Sequence, residues 1–194
     1  MSNIKVVLDA GHGSHETTPG KRSPEPPPVG IYEGEQNRIH TAYLKECLTA
    51  WGIKTLDWGG SDMNIDNRAR AEAANAVGAE LYISLHMNAE EVDLSEHPDG
   101  WGTASGITVF YYPGSSRGRE AAEAISAELA EGNLPDRGVK TAKFTVLKYT
   151  AMPAVLIELG FMTNREDVKE IQANYKRYLY SISEAVAALF DSRG

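Results

Sequence analysis

Short apolar, β-branched runs alternate along this chain with stretches of helical periodicity. That alternation constrains the fold more than any other feature of the sequence. Ile4–Asp9, Ile53–Asp57, Leu81–Leu85, Gly106–Tyr112 and Ala154–Glu158 read as strands, and a further short strand is expected within residues 132–150. Helices are expected over roughly Gly34 to Trp51, Ile65 to Val77, Ser115 or Ser116 to Glu131, and Asn164 to Phe190. The first places His40, Tyr43, Leu44, Cys47, Leu48 and Trp51 on one face at spacings of three and four; the last does the same with Ile171, Tyr175, Tyr178, Leu179, Ile182, Val186 and Leu189. Strands and helices in this rhythm form βαβ units. The expected fold class is therefore α/β, a single domain with a twisted, mostly parallel (mixed) sheet of about six strands and helices on both faces.

Composition narrows the function. With 194 residues, 42% of them hydrophobic and 24% charged, the chain can bury one core. Acidic residues exceed basic ones by 27 to 19, a net charge of −8, and no basic run is present, which argues against a nucleic-acid partner. One cysteine, Cys47, excludes an intrachain disulfide and any zinc site built on two or more thiolates; it reads as core. No apolar run is long enough to cross a bilayer, and the start, MSNIKVVLDAGHG, has neither a basic n-region nor an unbroken apolar h-region. The expectation is a chain made in the cytoplasm without a signal peptide, with no membrane insertion.

In open α/β sheets, ligands bind outside the carboxyl ends of the strands. Three polar residues follow or end the apolar runs: His12 after the first, His86 after Leu81–Leu85, and Glu158 at the end of the last. If those strands are neighbours, two imidazoles and a carboxylate converge on one edge, a set that suits zinc. A catalytic zinc wants a third protein ligand beside its water. Glu33 and Glu35, after a Pro-rich loop that carries Pro24, Pro26, Pro27 and Pro28, both offer one. His15, His40 and His97 read as surface or packing residues. The stretch Gly13 to Arg22 has the wrong spacing for a phosphate loop, and Arg22 replaces its Ser or Thr.

The residues around these positions carry a resemblance. Asp9-Ala-Gly-His-Gly, Thr18-Pro-Gly-Lys-Arg-Ser-Pro, Tyr32-Glu33-(three residues)-Asn37, Ser84-Leu-His-Met-Asn-Ala, Trp101-Gly-Thr-Ala-Ser-Gly and Met152-Pro-Ala-Val-Leu-Ile-Glu-Leu-Gly-Phe-(two residues)-Asn occur in that order. Together they resemble the zinc-dependent N-acetylmuramoyl-L-alanine amidases of the amidase 3 type, bacterial wall hydrolases and phage lysis enzymes. The likeness runs from Ile4 to about Leu189. It implies one Zn²⁺ per chain held by His12, Glu33 and His86. It selects Glu33 over Glu35 because the family's ligand stands four residues before an Asn. It also implies Glu158 as the catalytic acid/base, and a structural pairing that involves Arg70 and Asn75. Arg38, where many members carry an apolar residue, departs from the pattern.

The resemblance implies hydrolysis of the amide bond between the lactyl group of N-acetylmuramic acid and L-alanine, with peptidoglycan (muropeptide) as substrate. Arg22, Asn88, Trp101 and Tyr149 are candidate substrate contacts. Residues 1–194 are expected to be a single catalytic domain with no separate cell-wall-binding domain, acting as a monomer on the wall after release by phage lysis or mother-cell lysis. Two other functions compete: a zinc carboxypeptidase or other peptidoglycan peptidase, and a non-catalytic wall-binding module. Product analysis separates the peptidase, and a missing ligand or missing Glu158 would mark the module.

Overall fold

The computed structural model describes residues 5–58 and 65–191. In chain order its elements are β1 (Val6–Ala10), α1 (Glu33–Ala50), β2 (Thr55–Asp57), α2 (Asn67–Val77), β3 (Leu81–Asn88), β4 (Ile107–Tyr111), α3 (Ser116–Leu129), β5 (Asp136–Thr141), α4 (Thr145–Tyr149), β6 (Ala154–Phe161) and α5 (Arg165–Asp191). The α/β reading holds. Ile4, the first residue of the expected first strand, lies outside the described residues.

Six strands form one sheet in the order β2-β1-β3-β6-β4-β5. All neighbours run parallel except β4 and β6, which are antiparallel, so the sheet is mixed. Side chains alternate across each strand. One set, including Val6, Leu8, Ile83, Leu85, Val155 and Ile157, packs under α1, α3 and α5 with Leu44, Leu48, Ile125, Ile171 and Leu179. The other set, Val7, Tyr82, Ala154 and Leu156, packs under α2 and α4 with Ala74, Val146 and Leu147. Both faces are covered, as a largely parallel sheet requires.

Several boundaries differ from the sequence reading. β3 runs on to Asn88 and β6 to Phe161, so His86 and Glu158 sit inside strands rather than at their ends. Apolar periodicity stops at the first polar side chain, but the backbone ladder continues past it. His86 and Glu158 are direct partners across β3 and β6, and a bulge follows between His86 and Asn88. Trp51 leaves the apolar face of α1: it is 48% exposed and donates its indole N–H to Ser183 Oγ at 3.3 Å. The short helix α4 has no counterpart in the sequence reading.

The Pro-rich segment is tied at its base. Ser23 N–H donates to the Ile31 carbonyl at 2.9 Å, and Ser23 Oγ accepts from Ile31 N–H at 3.0 Å. Trp101 pins the loop from outside. Buried at 4% exposure, it donates its indole N–H to Glu25 at 3.0 Å, and the Arg165 guanidinium lies 4.8 Å over its ring. Arg165 also donates to Glu25 at 2.6 Å. The loop is thereby clamped to α5, and its two ends open α1 and the β1 side of the cleft.

Candidate metal centre

The site begins with two close approaches. His86, on β3, lays its imidazole against Gly11; a Cβ on Gly11 would sit 2.2 Å from the ring carbon Cε1. The start of α1 lies equally close to the β1 loop, where a Cβ on Gly34 would meet the Gly13 carbonyl oxygen at 1.7 Å. Glycine is therefore required at both positions. Between them His12 adopts a left-handed backbone, φ 65°, which few non-glycine residues adopt. Asn37, fully buried on α1, donates to the Gly11 carbonyl at 3.1 Å and holds helix to loop.

Arg70 fixes the loop from below. Its guanidinium is buried against Asp9, donates to the Ala10 carbonyl at 2.7 Å and reaches the His12 carbonyl at 3.4 Å. Asp9 accepts in turn from Ser84 Oγ at 2.7 Å on β3. Arg70 and Asn75 do separate work: Asn75 bonds the Tyr149 carbonyl at 2.8 Å and the Ala151 N–H at 2.7 Å.

On this frame three donors meet. Glu33, 1% exposed, points its carboxylate between both imidazoles, with Oε1 3.1 Å from His86 Nδ1 and Oε2 3.4 Å from His12 Nε2. Oε1 also accepts the Met87 N–H at 3.2 Å. The two rings stand edge to face, their centroids 5.0 Å apart. One ligand atom from each of His12, Glu33 and His86 lies within 4.8 Å of the others. Glu35 faces elsewhere, accepting the His15 N–H at 2.8 Å.

The charge states follow from burial and neighbours. Burial lowers His12 to about 4, against the pull of Glu33, so its imidazole is neutral at pH 7. Burial pushes the Glu33 carboxyl upward, but the hydrogen bond and charge of His86 together with His12 and the Met87 N–H hold it below its ordinary value. His86 is likewise lowered by burial and then raised above its ordinary value by the bond to Glu33. Burial raises Glu158 to about 7, with His86 opposing and Glu33 adding to the shift. Glu158 Oε2 is buried without a hydrogen-bond partner. An orphaned carboxylate oxygen is costly in a folded protein unless something else meets it there.

The donor set fits a divalent metal. Zinc bonds of roughly 2.0–2.2 Å place tetrahedral ligand atoms about 3.3–3.6 Å apart. One Glu33 oxygen lies 3.1 Å from His86 Nδ1 and the other 3.4 Å from His12 Nε2, and one ligand atom from each of the three residues falls within 4.8 Å of the others. One carboxylate with two imidazoles is also a donor set that a borderline-soft cation prefers.

Two adjoining hollows of about 180 and 360 Å³ open on the centre, and both are lined by His12, Lys21, His86 and Glu158. Asn88 lines the smaller one, its Oδ1 accepting the Ala89 N–H at 2.8 Å. Arg22, Trp101 and Tyr149 are not among the described residues lining either hollow. Arg22 is exposed and pairs through its backbone with Tyr32. Trp101 clamps the Pro-rich loop, and the Tyr149 ring is covered by Arg68 at 4.7 Å. The sequence reading missed Lys21, the neighbour of Arg22. Lys143 and Phe144, before α4, were also missed; both line the larger hollow. Their signal was weak, since a lysine in a polar loop has no periodicity to mark it.

Comparison with known proteins accords with this geometry. A family model described as N-acetylmuramoyl-L-alanine amidase matches residues 6–188. The chain is 31% identical over 176 residues to the N-acetylmuramoyl-L-alanine amidase CwlM of Bacillus licheniformis, covering 88% of this chain and 62% of that protein. It is 31% identical over 171 residues to the endolysin of Bacillus phage SPP1, covering 86% of this chain and 58% of that protein. The crystal structure of N-acetylmuramoyl-L-alanine amidase from Clostridium difficile 630 superposes with a TM-score of 0.83 at 28% identity, each chain covered in full at 100%. The chain thus spans about six tenths of the length of those two curated relatives.

Proposed function

The chain belongs to the amidase 3 family of N-acetylmuramoyl-L-alanine amidases, and from that premise we propose that it cleaves the lactyl–L-alanine amide of peptidoglycan with one zinc ion held by His12, Glu33 and His86. The observation that carries this reading is the pairing of a His-Glu-His donor set with an unpartnered carboxylate oxygen of Glu158 beside it. Bound there, zinc would lower the pKa of a water and polarise the amide carbonyl.

The chain's own residues supply the rest. Glu158, raised by burial to about 7, can both accept and donate a proton near neutral pH. Its free Oε2 takes the proton of the water that adds to the carbonyl carbon. The same oxygen returns that proton to the alanine nitrogen as the C–N bond breaks. The products are a lactyl carboxylate and a free alanine amine, so water is consumed and no redox partner is needed. Neutral His12 is ready to donate its lone pair to a cation, and the Asp9–Arg70–Ser84 network holds the loop that presents it.

The wall is the proposed site of action, in keeping with the endolysin relative. Among the described residues, no helix is long and apolar enough to cross a membrane. The direct test is mass spectrometry of fragments released from purified sacculi. New N-terminal alanine together with unmodified lactyl carboxyl is the expected product pair. Loss of a C-terminal residue from the stem instead would identify a carboxypeptidase.

A further inference from the structure

The larger hollow is lined by two lysines besides the groups placed in the hydrolytic step. Lys21 enters from the Pro-rich loop and Lys143 from the turn between β5 and α4. The backbone of Lys21 is fixed: its N–H donates to the Thr18 carbonyl at 3.0 Å, and its carbonyl accepts the Glu33 N–H at 2.9 Å. Its side chain lines both hollows, and its positive charge acts on His12 and Glu158 beside the donor set. Some cations on this acidic surface are paired, Arg68 with Glu72, Arg119 with Glu123 and Lys169 with Glu166, and others, such as Lys45, Lys54 and Lys140, make no ion pair among the described residues. Lys21 and Lys143 likewise make no ion pair among the described residues, although the charge of Lys21 is felt by Glu158 and His12. What sets them apart is their place: two lysines line one concavity beside the donor set, in a chain with net charge −8, and give it a local positive charge that suits an anion.

Beside them Phe144 offers an apolar plate. It is 40% exposed, and its ring is held edge to face on Phe110 at 5.3 Å. The hollow measures about 360 Å³, near the lower end of the range of small-molecule sites and large enough for one side chain. His12 and Glu158 form one side of it, so whatever occupies it is continuous with the bond being cut.

On the amidase reading, on which this inference rests, the segment leading away from the reacting nitrogen is the stem peptide. We propose that Lys21 and Lys143 together bind a free carboxylate on the stem residue next to the alanine, so that the protein discriminates stems with glutamate there from stems in which that carboxylate is amidated. Phe144 packs against the aliphatic part of the same residue. An amide in place of the carboxylate loses the ion–ion attraction and leaves two ammonium groups partly desolvated, which is how a charged subsite rejects a neutral isostere.

The experiment compares two purified disaccharide-tetrapeptides that differ only in a free or amidated glutamate carboxylate, with release of free alanine amine as readout. The wild-type protein should favour the free carboxylate by about tenfold in kcat/KM, mostly through KM. Raising the salt to about 1 M should shrink that preference. The double variant Lys21→Gln/Lys143→Gln should bring the ratio close to one, and Lys21→Arg/Lys143→Arg should keep it. Equal turnover of both substrates by the wild type, or a tenfold preference that survives in the double glutamine variant, overturns the inference and leaves the amidase reading intact. Failure to release alanine amine from either substrate and from purified sacculi overturns both.

Discussion

His86 Nδ1 lies 3.1 Å from Glu33 Oε1, although the two residues are 53 positions apart in the chain. The contact joins the first residue of α1 to the middle of the sheet, and it decides which acid completes the donor set. Glu33→Gln is expected to weaken zinc affinity by about 100-fold or more, because a ligand is lost rather than a supporting group. Glu35→Gln should leave affinity near that of the wild type. Competition with a chelating dye measures both, and loss of zinc in Glu35→Gln would reverse the assignment.

Glu158 stands opposite His86 in the sheet register and carries the unpartnered oxygen. Glu158→Gln preserves size but removes the proton acceptor. Its kcat should fall by about 10²- to 10⁴-fold with zinc content unchanged. A turbidity assay on cell walls beside metal analysis separates these effects. Full turnover in the variant would remove Glu158 from the reaction.

The buried Asp9–Arg70 pair supports the loop that carries His12. Arg70→Met leaves Asp9 without its cation at 1% exposure and frees the Ala10 and His12 carbonyls. Breaking a buried pair from one side costs about 3–5 kcal/mol. Urea unfolding of the metal-free protein should show a loss of that order, and zinc affinity should drop with it.

His40 gives the fold a pH dependence of its own. It is wholly buried on α1, its Nε2 2.7 Å from Gln36 Nε2 and its Nδ1 without a partner. Burial lowers it from 6.5 to about 3. The unfolded chain thus binds a proton that the folded chain refuses, so stability falls as pH drops below about 6.5. Between pH 7 and 5 the loss from this residue is about 2 kcal/mol. Denaturant midpoints of the wild type and His40→Gln at both pH values check it: the variant should lack that share of the slope.

Much of this was legible in the sequence because hydrophobic periodicity marks buried faces. The strand and helix order, and the positions of His12, His86 and Glu158 next to apolar runs, follow from it. Strand direction does not: nothing in Ile107–Tyr111 says that it runs antiparallel to β6, since both faces are buried either way. Trp101 shows a second limit. An aromatic in a glycine-rich loop suits a groove as well as a clamp, and only the positions of Glu25 and Arg165, 76 residues before it and 64 after, decide which. Lys21 shows a third, because it is brought to the site by the Glu33 N–H that its carbonyl accepts, a contact made by loop closure.

On the proposed reading, three side chains drawn from β3, α1 and the loop after β1 grip one cation. Anomalous diffraction at the zinc edge, on a crystal grown with added Zn²⁺, tests it most directly. A single strong peak roughly 2.0–2.2 Å from donor atoms of His12, Glu33 and His86 is the predicted result. A fully loaded, active protein whose zinc peak lies elsewhere, or contacts only one of the three, would place the metal outside this site.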